Sequence, residues 1–182
     1  MRVLNCYISK KGCMTMKQTL LLAAICIGLV LCAVGYSDSK YHTALGRMAP
    51  DFYAVNNYGD VSAASLKGGY SVLNFWSSAD APSREAANVY TAWQRRNPDS
   101  DLRLVSVNFD KNDALFNEIV RLDSLNPADQ YHVSGDTAKA IIDNYGLKDG
   151  FGSLLIDPTG KIVAHNPDAE QLSSIVVGSV DQ

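Results

Sequence analysis

The middle of the chain contains a strand–helix–strand succession that constrains the fold more than any other feature. Residues Tyr70–Trp76 form a nearly continuous β-prone run, which is typical of a strand buried on both faces. Residues 82–96 carry apolar side chains at helical spacing and end at Asn97-Pro98, and a second β-prone run, Leu102–Phe109, follows. Because such units close through a right-handed crossover, the pattern predicts two parallel, buried strands.

The flanking segments predict further strands and helices around this unit. Two short strands around a turn are expected within residues 51–61, and a hairpin within 153–164. Further helices are expected after Asp110–Asp113, from Asp136 to Asn144 and from about Asp168 to Val177, whereas residues 123–134 are expected to be irregular. The resulting fold class is an α/β three-layer sandwich whose mixed central sheet joins a βαβ half to a ββα half.

The helical spacing also predicts which side chains face the core. Ala86, Val89, Tyr90 and Trp93 fall at helical spacing in the first helix, where Tyr90 and Trp93 share a stripe with Val89 and are expected in the core. The second helix carries Leu115, Phe116, Ile119, Val120 and Leu122, and Ala140 and Ile141 of the third are expected to face inward.

All four cysteines lie in the first 32 residues, within a segment that has the features of an export signal. Residues 1–35 combine four basic residues with an apolar run from Leu20 to Val34. Cleavage before Tyr36 is expected, and a lipid on Cys32 or an uncleaved membrane anchor is the alternative. We therefore divide the chain into a signal peptide or membrane leader (1–35), a flexible tether (36–47) and a domain (48–182), exported to a bacterial periplasm or cell envelope.

The charge balance argues against a nucleic-acid partner. Of 16 basic and 19 acidic residues, four basic and no acidic ones lie in the leader, so the remaining chain has a net charge of about −7. No cofactor is expected. With only three histidines, no metal site is expected either; a carboxylate cluster that includes Asp80 is the alternative.

Three segments share both sequence and spacing with a known family. Gly46–Phe52 (GRMAPDF) is similar to G-x-x-A-P-D-F, and Leu66–Trp76 (LKGGYSVLNFW) to L-K-G-K-x-V-L-V-N-F-W. Tyr145-Gly146 and Leu155–Val163 are similar to Y-G-V and F-L-I-D-x-x-G-K-I-V. Over residues 46–177 the chain thus resembles the thioredoxin-like superfamily, nearest to exported thiol-disulfide oxidoreductases of the TlpA and ResA type. The resemblance implies a thioredoxin-like fold.

The same resemblance marks where this sequence departs from the family. The family's active segment reads F-W-A-S-W-C-P-P-C-R, and a cis-proline precedes its late hairpin. The resemblance implies that the second tryptophan falls on Ala79, the two cysteines on Asp80 and Ser83, the proline on Pro82, the arginine on Arg84 and the cis-proline on Phe151. Without a thiolate the chain cannot exchange disulfides directly, and Phe151 is expected to follow a trans peptide bond.

The polar residues at the matching positions have two interpretations. Asp80 and Ser83 either form a repurposed polar site or, as we favour, cap the helix that follows them. A Ser-His-Asp hydrolase is not supported, because no histidine is placed near Ser83 by sequence. Trp76 and Phe151 are candidates for a binding face, since aromatic residues in exposed loops often make contacts.

These observations predict an exported thioredoxin-like domain that acts without catalysis, as a binding or accessory protein. An unknown protein or peptide partner is expected at a vestigial cleft formed by Trp76, Ala79, Asp80, Pro82, Ser83 and Phe151. The alternative is the family activity, thiol-disulfide exchange or peroxiredoxin-type peroxide reduction, with a partner supplying the thiol. A structural module without any site is a third possibility.

Overall fold

The computed structural model describes residues 43–177, with the backbone alone at 176 and 177. The predicted leader lies outside these residues, and its processing stays a prediction. The elements are β1 (Tyr53–Asn56), β2 (Gly59–Ser62), β3 (Ser71–Trp76), α1 (Ala81–Arg96), β4 (Arg103–Asn108), α2 (Asp113–Leu122), β5 (Gln130–His132), α3 (Gly135–Tyr145), β6 (Ser153–Ile156), β7 (Ile162–His165) and α4 (Ala169–Leu172), which continues as a π-helical turn (Ser173–Val177).

The strands form a mixed five-stranded sheet and a separate hairpin. The order in the sheet is β5-β4-β3-β6-β7, in which β3, β4 and β5 are parallel and β6 and β7 run antiparallel to their neighbours. β1 and β2 pair with each other. This arrangement confirms the predicted α/β fold class and its βαβ and ββα halves.

The prediction that residues 123–134 are irregular is wrong for β5. Gln130–His132 adds to β4 as a parallel strand at the edge of the sheet. The Asn56 side chain binds the carbonyl oxygens of Ala128 and Gln130 at 3.0 and 3.1 Å. Both contacts come from distant parts of the chain, so a three-residue segment after a proline gave no local signal for a strand.

Alternating residues of β3 face two different cores. Leu73 and Phe75 pack with residues of the β1–β2 hairpin and α3. Val72 packs on the opposite side with Tyr90 of α1, and Trp76 packs there with residues of α1 and α2. Because both faces are covered, every residue of β3 is buried, which agrees with its nearly continuous β-prone sequence.

Four of the apolar helix residues singled out by their spacing are exposed. They are Val89 in α1, Leu115 and Leu122 in α2 and Ala140 in α3. In α1 the buried face is centred on Ala87, Tyr90 and Thr91, so Val89 lies beyond its edge. The helices each bury a narrower stripe than the sequence suggested, since each one covers only one side of a short sheet.

The chain joins the fold before residue 48. The Gly46 N–H donates to the Ile162 carbonyl oxygen and the Ile162 N–H donates to the Arg47 carbonyl oxygen, both at 2.8 Å. Residues of the predicted tether thus hydrogen-bond beside β7, while the domain boundary itself stays a prediction. No helix within residues 43–177 is long and apolar enough to cross a membrane.

Candidate functional site

The loop between β3 and α1 contains the positions that match the family's active segment. Asp80 is the N-cap of α1, and its Oδ1 accepts a hydrogen bond from the Ser83 backbone N–H at 2.9 Å. Ser83 is buried; its Oγ donates to the Asp80 carbonyl oxygen at 3.1 Å and accepts from the Ser77 N–H at 3.3 Å. Pro82 occupies the first turn. These side chains start the helix, as the capping interpretation predicts.

Asp110, just beyond the end of β4, holds the same loop from the other side. Its buried carboxylate accepts from the Ser77 hydroxyl at 2.7 Å and from both the backbone N–H and the hydroxyl of Ser78 at 2.9 and 3.0 Å. A fourth hydrogen bond comes from the Asn108 side-chain amide at 3.1 Å. The sequence pattern predicts Asp110 only at the start of the next helix and gives no indication of this role.

The hydrogen bonds determine the ionisation of Asp110. Burial alone would raise the pKa of this carboxyl group, but the donors of Ser77, Ser78 and Asn108 outweigh it and hold the pKa below its usual range. The group is therefore a carboxylate at neutral pH. The missed signal was its position: a carboxylate that directly follows a buried strand lies where the next parallel strand also ends.

Serine, aspartate and histidine side chains do gather here, but not as a catalytic triad. The His132 Nε2 atom lies 2.7 Å from the backbone carbonyl oxygen of Asp110, whereas the Asp110 carboxylate binds the two serines. The hydroxyl of Ser83 is committed to the helix cap. Since no histidine nitrogen contacts a serine hydroxyl among the described residues, this arrangement provides no activated nucleophile.

Trp76 does not belong to a surface cleft. Its relative exposure is 0 %, and it packs in the cluster that includes Ala87 and Phe116, with its ring centroid 6.2 Å from that of Phe116. The prediction of Trp76 as a binding residue is therefore wrong. The reason is the strand alternation, which directs this side chain towards α1 and α2 instead of the end of the strand.

Phe151 lies in the loop that leads into β6 and is half-buried. Its ring stacks on that of Phe109, with centroids 5.2 Å apart and planes inclined by 20°. The peptide bond before Phe151 is trans, as predicted. The next residue, Gly152, accepts a hydrogen bond from the Phe75 N–H at 3.0 Å, which places this loop beside the end of β3.

Two cavities flank this aromatic pair. One of about 360 Å³ is lined by Phe151 and by residues at the end of α3. The other, of about 440 Å³, is lined by Phe109, Asp110 and the start of α3. Ala79 and Pro82 are exposed too, but neither of them lines these cavities.

The remaining motif residue, Arg84, is also structural. Its guanidinium forms a two-point ion pair with Asp123, both N–O distances being 2.6 Å. The hydrogen bonds with Asp123 raise the pKa of Arg84, and those from Arg84 lower the pKa of Asp123. Within residues 43–177, no three His, Cys, Asp or Glu side chains are grouped so that they could hold a metal ion.

Comparison with known proteins identifies the family. The model of the AhpC/TSA family matches residues 45–165. The chain belongs to the AhpC/TSA family. The match covers the sheet, α1 to α3 and the loop around Asp80, and it agrees with the thioredoxin-like resemblance of the sequence. A search of curated protein sequences found no match.

Solved structures share the fold. A thioredoxin-like protein from Parabacteroides distasonis is 27 % identical with a TM-score of 0.62, over 74 % of this chain and 96 % of its own. A thiol:disulfide interchange protein from Bacteroides sp. is 22 % identical with a TM-score of 0.66, over 78 % of this chain and 93 % of its own. A putative thiol:disulfide interchange protein DsbE from Chlorobium tepidum is 22 % identical with a TM-score of 0.60, over 75 % of this chain and 98 % of its own. These neighbours confirm the thioredoxin-like fold that the sequence resemblance implies.

Proposed function

We propose that this protein is an exported thioredoxin-like binding or accessory protein that performs no dithiol chemistry. The observation that carries the proposal is the state of the two positions matching the family's cysteines. Neither is cysteine, and the side chains of Asp80 and Ser83 are both engaged in the N-cap of α1. Disulfide exchange and peroxide reduction both require a thiolate, which residues 33–182 do not contain.

The proposed binding surface is the exposed remainder of the family's cleft. It consists of Ala79 and Pro82 at the start of α1 and of Phe151, whose ring is backed by Phe109. Asp80 and Ser83 support this surface from below through the helix cap. A half-buried aromatic ring beside two cavities offers apolar contact area at little entropic cost, which suits a protein or peptide partner.

Export is part of the same proposal. It rests on the basic and apolar composition of residues 1–35, with cleavage before Tyr36, a lipid on Cys32 or an uncleaved membrane anchor as the three outcomes. Mass spectrometry of the protein recovered from a bacterial cell envelope would distinguish them, because a lipidated chain begins at Cys32. A chain recovered from the cytosol with an intact leader would contradict export.

Binding at this surface can be tested with Phe151→Ala. We expect the variant to lose partners that the unmodified chain captures from an envelope extract, while Tyr53→Ala, which removes an exposed aromatic ring from β1, keeps them. Identical captured proteins for all three chains would contradict the assignment of the surface.

The alternative is the family activity with a thiol supplied by a partner. Membership of the AhpC/TSA family favours it. In that case a mixture of this chain and a thiol-bearing partner would reduce insulin or peroxide faster than the partner alone. A rate equal to that of the partner alone would favour the binding role.

A further inference from the structure

Three polar side chains lie side by side across the central sheet. Asn74 of β3 stands in register with Ser106 of β4, and Ser106 stands in register with Gln130 of β5. Residues in register on neighbouring strands point to the same face of a sheet, and the strands lie about 4.8 Å apart. We call these three side chains the polar row.

The neighbours of the polar row on each strand identify the face on which it lies. Val72 and Trp76 flank its residue on β3, and they pack with α1 and, for Trp76, also with α2. Leu104 precedes its residue on β4 and packs with Val72. His132 follows its residue on β5 and stacks on Phe116 of α2. Because every second residue of a strand shares a face, the polar row lies between the sheet and these two helices.

All the polar atoms of this row are buried without a partner. The relative exposure of Asn74 and Ser106 is 0 %, and that of Gln130 is 1 %. Neither side-chain amide has a hydrogen-bond partner among the described residues, and the Ser106 hydroxyl has none there either. Buried polar atoms of native proteins are nearly always hydrogen-bonded, to protein or to ordered water. The polar row therefore needs partners.

Hydrogen bonds within the polar row would meet only part of this need. Ser106 stands between the two amides, and with one bond to each it pairs one polar atom of Asn74 and one of Gln130. The second polar atom of each amide stays unpaired, and turning an amide over exchanges its nitrogen and oxygen without changing that count. The Thr91 hydroxyl of α1 and the Trp76 Nε1 atom are also buried without a partner among the described residues.

Water is the molecule that suits this place. Because the three side chains of the polar row are exposed by 1 % or less, a larger molecule has no access to them. Serine is the shortest of the three, so a water molecule on the Ser106 hydroxyl lies between the two amides. A buried water typically makes about three hydrogen bonds, which Ser106 and the two amides can provide.

We propose that the polar row is a binding site for internal water, with at least one molecule held by Ser106 and the amides of Asn74 and Gln130. On the outer side of this layer, the ion pair of Arg84 with Asp123, the C-cap of α2, joins the two helices. The water leaves only when the helices separate from the sheet, so it exchanges slowly with the solvent. The site is independent of the proposed binding surface, with which it shares no residue.

The test in solution is oxygen-17 relaxation dispersion of water with the full 182-residue chain. This measurement counts slowly exchanging internal water molecules and does not respond to the exchange of hydroxyl protons. The double variant Asn74→Leu, Gln130→Met replaces both amides by apolar side chains of similar size and leaves a water molecule only the Ser106 hydroxyl, fewer than the two to four partners that buried water needs. We expect the dispersion amplitude to fall by at least one water molecule.

A matched control and a crystal structure complete the test. The control is the double variant Asn57→Leu, Asn117→Leu, which removes two exposed amides and should keep the amplitude of the unmodified chain. Circular dichroism verifies that both variants fold. Equal amplitudes in all three chains would overturn the proposal.

If the core variant does not fold, a crystal structure of the unmodified chain at a resolution that shows ordered water decides the question. We expect density for a water molecule within hydrogen-bond distance of Ser106 and of at least one of the two amides. Direct contacts among Asn74, Ser106 and Gln130 with no water between them would overturn the proposal.

Discussion

Substitution of Asp110 perturbs the carboxylate that joins the end of β4 to the loop after β3. In Asp110→Ala, four hydrogen-bond donors lose their acceptor; the two hydroxyls can rotate, but the Ser78 N–H and the Asn108 amide cannot. A buried polar group left unpaired costs about 1–3 kcal/mol. For two such groups and the lost charge–dipole attraction we expect unfolding free energy to fall by about 3–5 kcal/mol. Asp110→Asn keeps one side-chain carbonyl oxygen as an acceptor, so its unfolding free energy should fall by only about 2 kcal/mol.

The assay is guanidinium-induced unfolding at pH 7, followed by circular dichroism. The matched control is Asp136→Ala, an exposed aspartate whose removal should change the unfolding free energy by no more than about 0.5 kcal/mol. A loss in Asp110→Ala as small as that of the control would show that the Asp110 carboxylate does not stabilise the loop. Since a domain of this size is stable by only about 5–15 kcal/mol, Asp110→Asn provides a measurement if the alanine variant does not fold.

The pH dependence gives a second readout for Asp110. The pKa of Asp110 in the folded protein lies below the value of about 3.9 that an aspartate has in an unfolded chain. The carboxylate therefore contributes its full share of the unfolding free energy above about pH 3.9, and this share is lost as the pH falls through the folded-state pKa. The difference in unfolding free energy between the unmodified chain and Asp110→Asn should therefore be constant between pH 7 and about 5 and shrink below about pH 4. A difference that grows on acidification would contradict this.

Three further substitutions test the roles of residues near the candidate surface. Asp80→Ala should lower the unfolding free energy by about 1 kcal/mol through loss of the N-cap, and Asp80→Ser should restore most of it. Trp76→Ala should cost about 3–5 kcal/mol because the side chain is fully buried; a cost below about 1 kcal/mol would favour an exposed Trp76. Arg84→Lys should lower the unfolding free energy by about 1 kcal/mol or less, since lysine cannot form the two-point pair with Asp123. A double-mutant cycle of Arg84→Lys and Asp123→Asn measures the coupling between the two side chains.

The central elements of the fold were predictable because their sequences report burial directly. β3 and β4 are continuous β-prone runs, and the β6–β7 hairpin surrounds the turn residues Asp157–Gly160, so local pattern and final structure agree. β5 was not predictable in this way. Its three residues become a strand only through pairing with β4 and through the distant amide of Asn56.

The candidate site shows the same division between local and distant contacts. The cap formed by Asp80 and Ser83 spans three residues, so sequence spacing alone predicted it. The link between Asp110 and Ser77 spans 33 residues and depends on two parallel strands ending side by side. The burial of Trp76 was also out of reach: alternation fixes the face of β3 on which it lies, but not that α1 and α2 cover that face at the end of the strand.

The most direct test of the central claim is a comparison of insulin-disulfide reduction with dithiothreitol as reductant. The four leader cysteines are first replaced by serine, so that any thiol chemistry must arise in the domain. We expect no turnover above background for this cysteine-free chain. Measurable turnover is expected once Asp80→Cys and Ser83→Cys restore two thiols at the start of α1, where the helix dipole favours a thiolate. Turnover by the cysteine-free chain at the rate of the restored one would contradict the claim that this domain performs no dithiol chemistry.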